Sequence, residues 1–108
     1  MTAAEPSLRP AVFLDRDGTL IEERSYLSHP EGVELVSGAL EALDALKEAE
    51  VPFVIVTNQS GLARGLFTEG EYRRVEARLQ RLLEEAGVPP AGTWYCPHHP
   101  DITGPCAC

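Results

Sequence analysis

The sequence predicts an α/β fold built on a parallel sheet. Three observations carry that prediction: short apolar runs alternate with helical patterns, the runs are apolar at consecutive positions, and each run ends in polar or ligand-type residues. The order is strand, helix, strand, helix, strand, which calls for right-handed crossovers between parallel strands. A length of 108 residues suits one compact domain.

Residues 1–10, with Pro6 and Pro10, read as a loose leader. Ala11-Val12-Phe13-Leu14 lies between Pro10 and the turn-forming Asp15-Arg16-Asp17-Gly18, and is expected to be a buried strand. Residues 19–37, interrupted by Pro30 and Gly32, read as a long loop. A helix is expected from about Gly38 to Ala49 with Ser37 as its N-cap. Leu40, Leu43 and Leu46, flanked by Ala39, Ala42 and Ala49, give it one apolar stripe. Val51-Pro52-Phe53-Val54-Ile55-Val56-Thr57 is the clearest strand, and Pro52 at its start costs no ladder bond. It runs into the polar loop Asn58-Gln59-Ser60-Gly61.

Thr68-Glu69-Gly70-Glu71 has the capping-box form, so a long helix should follow to about Ala86. Tyr72, Val75, Leu79, Leu82 and Leu83 form its apolar face. Gly87 stops it, with Pro89 and Pro90 beyond. Thr93-Trp94-Tyr95-Cys96 then reads as a third short strand leading into a Cys/His loop. There is no internal repeat and no low-complexity tract.

Composition excludes several classes. With 9 Lys+Arg against 17 Asp+Glu the net charge is −8, which argues against a nucleic-acid binder. A hydrophobic share of 44% rules out wholesale disorder. No apolar run approaches the roughly 20 residues of a membrane span, so no membrane partner is expected. Residues 1–10 lack the basic-then-apolar pattern of a secretory signal, and a cytoplasmic location is the expectation.

All three cysteines, Cys96, Cys106 and Cys108, fall in the last thirteen residues. Three is odd, and a C-x-C pair is too close to bridge comfortably. Histidines stand between them, so the cluster reads as metal ligands in a reducing compartment, against the plainer reading of three free thiols. Four ligands with no open position would make a structural Zn²⁺ site, tying down a loop that holds Pro97, Pro100, Gly104 and Pro105.

Parallel α/β sheets bind ligands at the carboxyl ends of their strands. Asp15 and Asp17 follow the first strand, Thr57 and Asn58 close the second, and Cys96 and His98 the third. Two carboxylates two residues apart at the mouth of a buried strand repel one another, and a divalent cation relieves that cost. Hard oxygen ligands suit Mg²⁺. A solvated turn is the open alternative; an EF-hand loop fits less well, because Thr19 stands where a further ligand is needed. Thr57-Asn58-Gln59-Ser60-Gly61 offers hydroxyls, amides and backbone N–H groups that can cradle phosphate oxygens, or it is only a polar loop. Arg64 either contacts an anion or anchors its loop, and anchoring is the reading preferred.

Phe13-Leu14-Asp15-Arg16-Asp17-Gly18-Thr19 resembles the first motif of the haloacid dehalogenase superfamily of phosphohydrolases. The segment from Val56 through Thr57-Asn58-Gln59-Ser60-Gly61-Leu62-Ala63-Arg64-Gly65 is similar to a narrower form of its second motif. Cys96-Pro97-His98-His99-Pro100 and Cys106-Ala107-Cys108 resemble the branch that dephosphorylates a heptose 1,7-bisphosphate or histidinol phosphate.

The resemblance implies a Rossmann-like three-layer fold and a covalent mechanism. Asp15 is then the nucleophile and Asp17 the general acid/base. Mg²⁺ is held by the Asp15 carboxylate and the Asp17 backbone carbonyl. Thr57 binds phosphoryl oxygens with help from Asn58, Gln59 and Ser60, while Glu23, Arg24, Ser25 and Tyr26 contact the rest of the substrate. Cys96, His98, Cys106 and Cys108 hold Zn²⁺, His98 rather than His99 being the ligand. The doubled histidine and Gly61–Gly65 favour a heptose bisphosphate over histidinol phosphate as the phosphorylated metabolite.

Family members continue past the C-x-C pair with a basic segment, two strands and an acidic motif. Residues 11–108 are therefore expected to be the N-terminal portion of one phosphatase domain, with about three strands and a zinc loop over 96–108. A second chain or a further C-terminal segment would complete it, and this portion alone is expected to turn over weakly or not at all. The first strand is then expected at a sheet edge. The alternative from another class is a non-catalytic, zinc-stapled binding module.

Overall fold

A computed structural model describes residues 10–104 of the chain. It contains β1 (Val12–Leu14), a 3₁₀ turn at Pro30–Gly32, α1 (Ala39–Glu48), β2 (Phe53–Asn58), α2 (Ser60–Ala63), α3 (Glu69–Glu85), β3 (Gly92–Cys96) and α4 (Pro100–Thr103). The strands make one parallel sheet in the order β1-β2-β3. The α/β class and the parallel sheet are as the sequence predicts.

β2 is central. Its Phe53 and Ile55 pair with Val12 and Leu14 on one side, and its Val54 to Asn58 run beside Gly92 to Cys96 on the other. Pro52 sits just before β2, where its carbonyl accepts from the Val12 N–H. Phe53 and Ile55 share a core with Leu43 of α1 and with Val75, Leu79 and Leu83 of α3, so both crossover helices cover the same face. Val75, Leu79 and Leu83 are wholly buried, each contributing about 1.5–3 kcal/mol.

Among the described residues, nothing packs over the opposite face. It carries Phe13, Val56 and Trp94, which are 68%, 37% and 62% exposed. The expectation of a strand buried on both sides is therefore corrected for β1: it lies at the sheet edge, and only its Val12 and Leu14 side packs against the core.

Two further expectations are corrected. The N-cap of α1 is Gly38, not Ser37: Gly38 has φ 86°, and its carbonyl accepts the first helical N–H, from Ala42. That left-handed turn costs glycine nothing, whereas serine there would be strained. The polar loop after β2 also contains a helix, α2, in which the Leu62 N–H reaches back to the Gln59 carbonyl.

The stretch 19–37 is irregular but not loose. Ile21 bridges to Asp17 and to Leu35, and Leu20, Ile21 and Val33 belong to the core. The capping box at Thr68 forms in full and starts α3 at Glu69, where the sequence places it. Gly87, with φ 77°, follows its C-cap.

Candidate active site

β1 delivers Asp15 and Asp17 to the carboxyl edge of the sheet. The chain turns there because the Arg16 carbonyl accepts N–H groups from Thr19, Leu20 and Ile21, at 3.3, 2.9 and 3.1 Å. Gly18 provides the left-handed residue of this turn, at φ 83°. Asp15 Oδ1 accepts the Arg16 N–H at 2.9 Å, and its Oδ2 has no partner among the described residues.

Arg16 is the unexpected member. Its side chain is only 1% exposed. Nε donates to Asp17 Oδ2 at 3.3 Å and Nη2 to Asp17 Oδ1 at 3.2 Å, a fork onto one carboxylate. Nη1 lies 3.7 Å from Glu76 Oε2 of α3, and the guanidinium carbon is 5.7 Å from the Tyr72 ring centroid. Gln59, also buried, donates from Nε2 to Asp17 Oδ2 at 3.1 Å and to Thr57 Oγ1 at 2.8 Å.

A cleft of about 420 Å³ opens above these groups. Of the residues singled out in the sequence, Asp15, Asp17, Glu23, Ser25, Tyr26, Asn58, Gln59 and Ser60 line it. Thr57 is buried beside it and faces a neighbouring groove that also reaches Asp15 and Asn58. Arg24 does not join the lining; its guanidinium pairs with Glu34. Ser25 and Tyr26 hold left-handed backbone at φ 47° and 64°, strain concentrated at the cleft rim. Asn58 Oδ1 accepts from the Ser60 N–H at 3.1 Å, which fixes the first turn of α2.

Behind the cleft, Tyr72 stacks on Tyr95 of β3 with centroids 4.4 Å apart. Burial pushes the Tyr72 hydroxyl well above the ordinary tyrosine range. Burial likewise raises the Glu76 carboxyl, with the Arg16 guanidinium opposing. At the start of α3, the Tyr95 hydroxyl donates to Glu69 at 2.8 Å, and Arg73 pairs with the same oxygen. Tyr95 first, then Arg73, holds Glu69 below the usual carboxylate range.

Of the zinc ligands expected from the sequence, Cys96 and His98 stand together, Sγ to Nδ1 at 3.7 Å. Cys106 and Cys108 lie outside the described residues. Among the described residues no three His, Cys, Asp or Glu side chains converge as a metal cluster. Arg64 reaches His99, Nη2 to Nε2 at 2.7 Å, which ties the end of α2 to the loop after β3, as an anchor does. No helix among the described residues is long and apolar enough to cross a membrane.

Residues 12–89 match the haloacid dehalogenase-like hydrolase family. The chain belongs to that family. Among its curated relatives, D-glycero-β-D-manno-heptose-1,7-bisphosphate 7-phosphatase of Photorhabdus laumondii is 43% identical over 87% of this chain and 50% of its own length. The solved D,D-heptose 1,7-bisphosphate phosphatase of B. bronchiseptica, a complex with magnesium and phosphate, superposes with a TM-score of 0.79 at 33% identity, covering 87% of this chain and 53% of that one. A solved HAD-like protein from Mesorhizobium loti reaches 0.84 at 40% identity, over 93% of this chain and 48% of its own. The chain thus spans about half the length of the curated relatives it matches.

Proposed function

We propose that this hydrolase is a Mg²⁺-dependent phosphomonoesterase that removes the 7-phosphate of D-glycero-D-manno-heptose 1,7-bisphosphate through an aspartyl-phosphate on Asp15. One observation carries the reading: Asp15, whose Oδ2 has no partner among the described residues, lines a polar cleft beside an Asp17 carboxylate clamped by Arg16 and Gln59. The substrate comes from the relatives, whose names specify it. We assign residues 11–108 to the N-terminal portion of the phosphatase domain.

Asp15 Oδ2 attacks phosphorus as the bond from phosphorus to the sugar oxygen breaks. Asp17 gives the departing alkoxide its proton, then takes one from the water that attacks the aspartyl-phosphate. That second displacement breaks the bond from phosphorus to Asp15 and releases inorganic phosphate. Asp17 Oδ2 already accepts two hydrogen bonds and Oδ1 only one, so Oδ1 has room for the transferred proton. Asn58, Gln59 and Ser60 line the phosphoryl end of the cleft, with Thr57 beneath them. Glu23, Ser25 and Tyr26 face the sugar.

The donor set fits a hard cation. The Asp15 carboxylate faces the cleft, and the Asp17 carbonyl accepts no backbone N–H among the described residues. These two groups would hold Mg²⁺, whose charge would offset the repulsion that a carboxylate nucleophile meets from an anionic phosphate. Cys96 and His98 are the described half of a structural Zn²⁺ site with Cys106 and Cys108.

Acid-quenched single-turnover labelling tests the reading without requiring fast release. With Mg²⁺ and the heptose bisphosphate labelled at its 7-phosphate, the label should appear on Asp15, and it should vanish with chelator or in Asp15→Asn. Wild-type protein at saturating substrate that takes up no label rejects the proposal.

A further inference from the structure

We propose that Glu76, on α3, is a positioning residue for Asp17, acting through the buried guanidinium of Arg16; the inference rests on the phosphotransfer reading of the cleft. Nothing in the folding of α3 asks for a carboxylate at this position. The other buried residues of the helix are Val75, Leu79 and Leu83, which belong to the core, and Tyr72, which stacks on Tyr95. A leucine at position 76 would serve that contact, whereas a carboxylate there is desolvated at a cost. Glu76 is largely buried; the Arg16 guanidinium and the Tyr72 hydroxyl are its polar neighbours, and neither of its oxygens is in good hydrogen-bond geometry with a described residue. Arg16 Nη1, at 3.7 Å, is the cation it faces.

Charge balance alone does not explain the residue either. Arg16 is already neutralised by Asp17, to which it commits Nε and Nη2. Glu76 adds a second negative charge to the pair. What it supplies is direction. Arg16 is hydrogen-bonded to Asp17 along one edge and faces the Glu76 carboxylate at 3.7 Å on the other, with the Tyr72 ring nearby. The Glu76 carboxylate, an ion pair at 3.7 Å without a hydrogen bond, favours one orientation of the guanidinium about its long stem and so one plane for the fork on Asp17. Asp17 is thereby pre-aligned for the leaving oxygen, and a small misplacement of such a group is costly in rate. Glu76 touches no substrate and reaches the chemistry only through Arg16.

Leaving-group dependence separates this role from a structural one. A sugar alkoxide needs a proton as it departs, whereas p-nitrophenolate leaves well without one. In Glu76→Gln, labelling of Asp15 by the sugar phosphate should slow about tenfold, and by p-nitrophenyl phosphate by less than about twofold. Equal slowing with both esters, as general loosening of the fold would produce, overturns the inference; so does no slowing with either. If wild-type protein is labelled by neither ester, the phosphotransfer reading itself has failed and this inference falls with it. Should Glu76→Gln not fold, Glu76→Asp carries the test: it keeps the charge but withdraws it by one methylene, and a smaller loss with the same split between esters is expected.

Discussion

Gln59 is a buried amide that joins two parts of the site. It spans from Thr57 at the end of β2 to Asp17 beyond β1, so one side chain sets the spacing between the two motifs. Replacing it by Leu keeps the volume but leaves Thr57 Oγ1 and Asp17 Oδ2 short of a donor. Gln59→Leu should lose about 1–3 kcal/mol in urea unfolding, and it should slow Asp15 labelling as well. Residue by residue, the sequence discloses groups whose type is itself the signal. Asp15 and Asp17 are visible as a carboxylate pair after an apolar run. Arg16 between them is not, because an arginine in a solvated turn and one sealed under a helix have the same letters around them. Glu76 left a trace: at positions 72, 76, 79 and 83 it stands in register with the apolar face of α3, a charge where the pattern calls for none.

At the scale of elements, legibility follows length. α3 runs 17 residues with a complete capping box, and its start is readable to the residue. α2 has four residues, barely one turn, too few for the 3.6-residue pattern to repeat and reveal it. β3 is joined to α3 through Tyr95 and Glu69, a contact that no local pattern encodes. Because Tyr95 is the main cause of the lowered Glu69 value, Tyr95→Phe should return that carboxyl upward toward its ordinary 4.5. Carbon-detected NMR titration of the Glu69 side chain reads the change directly. The sign follows from linkage: a carboxylate lowered on folding adds stability above its unfolded value, and loses it as pH falls through the folded one. The variant should therefore show a shallower acid-side loss of stability than the wild type. An unmoved Glu69 titration in Tyr95→Phe would mean that Arg73 sets the value instead.

At the scale of the whole fold, the described residues cover the sheet on one side only. Parallel sheets are ordinarily buried on both faces, yet Phe13, Val56 and Trp94 stand open. Trp94 is the single tryptophan of the chain, so its fluorescence reports on this face alone. Acrylamide should quench it nearly as efficiently as it quenches a free indole in water, and strongly suppressed quenching would show the face covered in solution. The sequence by itself determined the α/β class, the order of the strands along the chain, the long helix with its cap, and the two aspartates after the first strand. Those features arise from contacts within one turn or one pleat, where neighbouring letters carry the physics. Only the tertiary structure decided that β2 is central, that both long helices share a face, and that Arg16 is sealed between Asp17 and Glu76 of α3. These depend on residues some sixty positions apart meeting across a packed layer, and burial of that kind belongs to the assembled fold rather than to any stretch of it.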